Sequence, residues 1–172
     1  PRRAIAATAD VEVHPSVSSD GLRLAYRRGA PGNPNPLEGP GQIWISSTAD
    51  PLSAQPLTDA GHNDRRPAFS PKGATLAFVS DRVVAGDADL CFVSLGAAGG
   101  PVSCIADPAT QVSRPTWSPD GATILVTATD PTGQAELLRY NAATSEAANA
   151  AAWTPAGFVT DGMRPAGPPT EQ

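Results

Sequence analysis

Hydrophobic and polar residues trade places at every second position through much of this chain. Leu22, Leu24 and Tyr26 alternate with Arg23 and Ala25, which is the period of a strand with one buried face. Residues 42–46 (Gln-Ile-Trp-Ile-Ser), 75–80 (Thr-Leu-Ala-Phe-Val-Ser), 89–95, 102–105, 123–128 and 135–140 read as further strands. Shorter ones are expected at 15–18, 67–69 and 115–117. Pro56-Leu57-Thr58 opens another, and a last strand falls within 151–158. Turn formers stand between them: Ser19-Asp20-Gly21, Ser70-Pro71-Lys72-Gly73 and Ser118-Pro119-Asp120-Gly121. The glycine of each can take a positive φ without a Cβ clash. Residues 142–152 are rich in Ala, with one Glu, and both favour helices. They lack an apolar stripe at helical spacing, so they read as a loop.

The strands and turns recur as a cassette. Arg114-Pro-Thr-Trp-Ser-Pro-Asp-Gly-Ala-Thr-Ile-Leu-Val126 has an earlier copy, Arg66-Pro-Ala-Phe-Ser-Pro-Lys-Gly-Ala-Thr-Leu-Ala-Phe78, and a looser one that starts at His14-Pro15. Gly21, Gly73 and Gly121 hold the same place, 52 and then 48 residues apart. Met163-Arg164-Pro165-Ala166 begins a further copy 50 residues after Arg114. A period near 50 built from short strands predicts an all-β chain, a β-propeller of four-stranded antiparallel blades with about three blades present. The repeat units fall at residues 14–60, 61–109 and 110–160, with a further repeat starting at 161–172. Residues 1–13, with the apolar run 4–7 and then Val11 and Val13, look like the strand that closes a preceding blade. The equivalent residues Val17, Phe69 and Trp117, with Leu24, Leu76 and Ile124 and with Tyr26, Phe78 and Val126, are expected in the core between blades. Closed propellers commonly use four to eight blades. Three therefore fit part of a larger propeller, or a half-ring completed by a second copy or another chain.

Composition narrows the partners. Nineteen Pro and 16 Gly among 172 residues suit frequent turns. The formal net charge of −5, with no basic run, disfavours nucleic acid, and no apolar stretch is long enough for a membrane span. The chain starts at Pro1 without a charged-then-apolar signal segment and reads as a mature or excised piece. Cys91 and Cys104 lie in strands that flank the turn at 96–100, so they can face each other across a hairpin. Either they form a disulfide, which implies an oxidising compartment, or they are two small buried hydrophobes.

The residues show no Gly-x-Ser-x-Gly elbow, no His-Glu-x-x-His, no Cys-x-x-Cys and no phosphate-cradling loop. No enzymatic activity, cofactor or metal is expected. The alternating carboxylates of Gly86-Asp87-Ala88-Asp89 invite Ca²⁺, yet without further ligands they read as a turn. The Pro-rich loop 31–40 is a plain exposed connection or a second contact surface. The better lead is the Arg-Pro start of each unit. Repeated geometry about an axis gathers the loops between blades on one face, near the central channel. His62, Asp64, Arg65, Arg66, Arg114 and Arg164 are therefore the candidate binding residues, since Arg suits carboxylates and interface anchoring. The alternative is that these arginines bond main-chain carbonyls and acids of neighbouring blades.

The units resemble the TolB-type propeller repeat. The resemblance rests on Phe69-Ser70-Pro71-Lys72-Gly73, Trp117-Ser118-Pro119-Asp120-Gly121, the strand 75–80 followed by Asp81-Arg82, and Pro56-Leu57-Thr58. It covers about residues 4–166. The first unit departs from it, with Ser19 in place of Pro and Val17 in place of the aromatic residue. The resemblance implies a non-catalytic, periplasmic or otherwise extracytoplasmic scaffold that binds a protein of the cell envelope. Similar blades also occur as gating domains of prolyl-oligopeptidase-type hydrolases and as sensor parts of kinases and receptors, so the alternative it implies is a module that gates substrate or senses a ligand.

Overall fold

The computed structural model describes residues 10–30, 32, 35, 39–96, 100–106, 111–143 and 153–158. Twelve strands form three four-stranded antiparallel sheets in simple sequence order. The first holds β1 (Glu12–Val17), β2 (Arg23–Gly29), β3 (Gly41–Ser47) and β4 (Gln55–Pro56). The second holds β5 (Arg65–Phe69), β6 (Thr75–Ser80), β7 (Asp89–Ser94) and β8 (Ser103–Ile105). The third holds β9 (Gln111–Trp117), β10 (Thr123–Thr129), β11 (Ala135–Ala142) and β12 (Trp153–Phe158). Each sheet is a blade. The first strands lie side by side, β1 against β5 and β5 against β9, and so form the hub. The three blades do not close into a ring among the described residues.

One turn joins the first two strands of every blade. The amides of Gly21, Gly73 and Gly121 bond back to the carbonyls of Ser18, Ser70 and Ser118 at 2.8, 2.8 and 3.0 Å, with φ of 73°, 70° and 73°. The serine hydroxyls then accept from the amides of Arg23, Thr75 and Thr123 at 2.9, 3.1 and 2.9 Å. In the outer blades Asp20 and Asp120 also accept from the hydroxyls of Ser18 and Ser118 and from the amides of Leu22 and Ala122. Lys72 stands at that place in the middle blade.

The strand Thr-Leu-Ala-Phe-Val-Ser of β6 is buried along its whole length because both its faces meet a neighbour. Leu76 and Phe78, with Cys91 and Val93, pack toward Ala25 and Ile43 of the first blade. Ala77 and Val79, with Leu90 and Phe92, pack toward Val112, Ile124, Val126, Tyr140 and Trp153 of the third. In that second seam the rings of Phe92 and Trp153 stack at 5.4 Å, and Trp117 meets both edge-on. Trp117 also donates from Nε1 to the carbonyl of Ala68 at 3.0 Å.

Several expectations need correction. Val13 does not close an earlier blade; it lies in β1 opposite Arg27, and the run at 4–7 falls outside the described residues. Val17 is 55% exposed and Leu22 64% exposed. Val17 is on the face of β1 turned away from the middle blade, where no described blade covers it, and Leu22 sits in the turn before β2. Strand β9 begins at Gln111, ahead of the expected 115, because a bulge lets the ladder run on past Arg114. Most of the loop 31–40, the Ala-rich stretch 144–152 and the further repeat at 161–172 lie outside the described residues.

Cys91 pairs with Cys104 across β7 and β8, and the two form a disulfide. No helix among the described residues is long and apolar enough to cross a membrane.

Candidate functional site

The Arg-Pro start of each unit is not a loop between blades. It is a bulge within the hub strand. The ladder registers of β1, β5 and β9 slip by one residue between Val13 and Ser16, between Arg65 and Ala68, and between Ser113 and Thr116. At each slip one residue adopts a left-handed backbone: His14 at φ 55°, Arg66 at 54° and Arg114 at 54°. These are the only non-glycine residues with positive φ recorded among the described residues. A side chain with a Cβ resists this conformation at a cost of roughly 1–2 kcal/mol. The proline that follows each of them, Pro15, Pro67 or Pro115, fixes the next φ and offers no amide to the ladder.

The three bulges place His14, Arg66 and Arg114, each with its proline, around one depression of about 200 Å³ at the hub. The charge there is lopsided. Neither Arg66 nor Arg114 forms an ion pair among the described residues; Arg66 instead donates to the hydroxyl of Ser113. Burial lowers the Arg66 pKa, and Arg114 lowers it further. His14 is likewise held below the usual imidazole range, first by burial and then by Arg66, Arg27, Arg65 and Arg114. Its Nδ1 is buried with no hydrogen-bond partner among the described residues. Burial also pushes Arg65 down, with Arg66 adding to it and Asp81 and Asp64 opposing it.

His62 and Asp64 stand apart from that depression, in the segment that enters the middle blade. Asp64 is fully buried and accepts from Ser80 Oγ and from Arg82, both at 2.6 Å. Arg82 bonds Asp59 as well. His62 lies 3.6 Å from Asp59 and 3.9 Å from Asp81. The Asp64 carboxylate thus ties the entry of the middle blade to the end of its own second strand, with both oxygens engaged. Arg164 lies outside the described residues. The structure therefore brings Arg66 and Arg114 together, sets Arg65 beside them, and adds His14, which the sequence offered only as a repeat position.

Arg27 was missed altogether. Its guanidinium is fully buried and donates to Asn63 Oδ1 at 2.7 Å, to the Asp64 carbonyl at 2.9 Å and to the Gly39 carbonyl at 3.0 Å. It pins the first blade to the segment that enters the second. The open space beside it comes from Gly41, where an added Cβ would sit 2.6 Å from the guanidinium. Asp87 accepts from the amide of Ala88 and from Gln111. Among the described residues no group of three or more His, Cys, Asp or Glu is arranged to hold a metal ion.

Residues 42–162 match the β-propeller domain of lipoprotein LpqB. The chain belongs to that family. The LpqB-type blades share the fold of a structure from Agrobacterium tumefaciens described as TolB, with a TM-score of 0.65 and 16% identity over 88% of this chain and 51% of that one. They also match the β-propeller domain of the trilobed protease from Pyrococcus furiosus, with a TM-score of 0.59 and 14% identity over 86% of this chain and 43% of that one. A Bacillus subtilis (strain 168) protein described as the uncharacterized peptidase YuxL is 38% identical over 113 residues, which is 66% of this chain and 16% of YuxL. The LpqB-type chain thus spans about half of the TolB structure and a small part of YuxL.

Proposed function

We propose that this chain is a binding scaffold outside the cytoplasm, and that it holds a protein partner of the cell envelope against the hub face. The observation that carries this reading is the convergence of His14, Arg66 and Arg114 in one depression, with no ion pair to either arginine among the described residues. Cations held close together disfavour one another's charged form, and strained backbone at the same residues persists where function demands it. The extracytoplasmic setting is supported by the Cys91–Cys104 disulfide, which suits an oxidising compartment, and by membership of a family described from a lipoprotein. Cross-linking in an envelope extract tests the reading. Substituting Arg66, Arg114 and Arg164 together by Ala is expected to abolish capture of the partner, and unchanged capture refutes the hub as the binding face.

The similarity to YuxL favours a second reading, in which the chain is the propeller module of a larger hydrolase and its hub filters or anchors substrate. The full-length gene separates the two. A hydrolase domain joined to these blades selects the second.

A further inference from the structure

The hub depression has features that narrow its ligand. Its two arginines and its histidine arise at equivalent bulges of three consecutive strands, so they gather at one place by repetition of backbone geometry. The chain as a whole carries −5; the positive charge is local to the hub. Arg27 and Arg65 stand behind it and add to the field at His14. The walls between the cations are the rings of Pro15, Pro67 and Pro115. The volume of about 200 Å³ falls below the roughly 300–1,000 Å³ of pockets that enclose drug-sized ligands. It suits the end of a chain better than a folded surface. A guanidinium presents a planar fork that matches a carboxylate with two parallel hydrogen bonds, and an apolar rim between forks suits the carbon stem that carries such a group.

We infer that the hub depression is a carboxylate site, in which Arg66 and Arg114 receive the C-terminal carboxylate of a peptide entering end-on. This rests on the hub being the binding face and names the chemistry that it reads. The ligand supplies the negative charge that Arg66 and Arg114 lack, and the proline rings contact its last side chains. His14 lies close enough to take part when it is protonated. Phosphate shares the charge but not the apolar stem, so the two separate in binding.

The test uses the whole 172-residue chain, ¹⁵N-labelled, titrated to millimolar concentration with N-acetyl-trialanine as the free acid, with the same peptide as its C-terminal amide, and with inorganic phosphate. The free acid is expected to shift the amides of β1, β5 and β9 around the bulges. The amide form should bind at least about tenfold more weakly, the loss of charge-assisted hydrogen bonds. R66Q with R114Q should remove the response to the acid. The comparison of acid with amide needs no variant, so it stands even if that double substitution unfolds the hub. Equal binding of acid and amide, phosphate binding as tightly as the acid, or no shift at the hub overturns the inference. If the inference falls while envelope capture still depends on the arginines, the hub reads its partner by other contacts and the binding-face reading survives.

Discussion

A residue with a Cβ at φ near +54° is strained wherever it occurs. Here the strain recurs at His14, Arg66 and Arg114. Replacing Arg114 by Gly removes both the clash and the charge, whereas replacing it by Ala removes only the charge. The Gly variant is expected to be more stable than the Ala variant by about 1 kcal/mol, as read from urea unfolding midpoints. Equal stability would mean that the bulge relaxes. Arg27 makes the opposite kind of contribution. Its loss leaves an amide oxygen and two carbonyls without their donor, and R27A is expected to cost about 2–3 kcal/mol. G41A should push the guanidinium off the same acceptors. The double substitution is then expected to cost clearly less than the sum of the two singles, which a double-mutant cycle measures. The sequence marked the recurring Arg-Pro pairs, since a repeat is visible without knowing its geometry. It did not mark Arg27, because that residue's acceptors lie 12, 36 and 37 positions away and two of the three are main-chain atoms.

The strands themselves were readable where both faces are buried or where a turn fixes an end. Strand β6 occupies Thr75–Ser80 as the apolar run suggests, and the Ser-x-x-Gly turns pin the starts of β2, β6 and β10. Strands with a bulge were read short, because a bulge breaks the two-residue alternation on which the reading depends. That is why β1 and β9 begin three and four residues earlier than expected. The cross-strand register of Cys91 and Cys104 followed from folding the hairpin about its turn. Their disulfide spans 13 residues of sequence. A loop of that size corresponds to about 3 kcal/mol from restriction of the unfolded chain. Replacing both cysteines by Ser is expected to lower stability by about that amount in calorimetry, while the wild type under reducing conditions should approach the variant.

For the molecule as a whole, the balance of charge at the hub makes both stability and binding depend on pH. The His14 pKa is held below its ordinary 6.5, so the unfolded chain takes up a proton before the folded one does. Stability from this group is therefore full above that value and declines as pH falls through it. A bound carboxylate reverses the preference by favouring imidazolium. Of the groups that act on His14, namely Arg66, Arg27, Arg65 and Arg114, none changes charge between pH 7 and 5. Affinity for a free-acid peptide is expected to rise as pH falls over that range, and His14→Gln should flatten the profile in a calorimetric titration. A pH profile unchanged by that substitution would place His14 outside the site.

The middle blade is gripped on both faces, by Ala25 and Ile43 on one side and by Val112, Ile124 and Trp153 on the other. Stacked units of this kind open from their free ends, since each is stabilised mainly by the neighbours it touches. The amide protons of β6 and β7 should thus be the last to exchange with deuterated solvent. A protease that nicks either outer blade would uncover one face of the middle blade and speed exchange there, with the disulfide still tying β7 to β8.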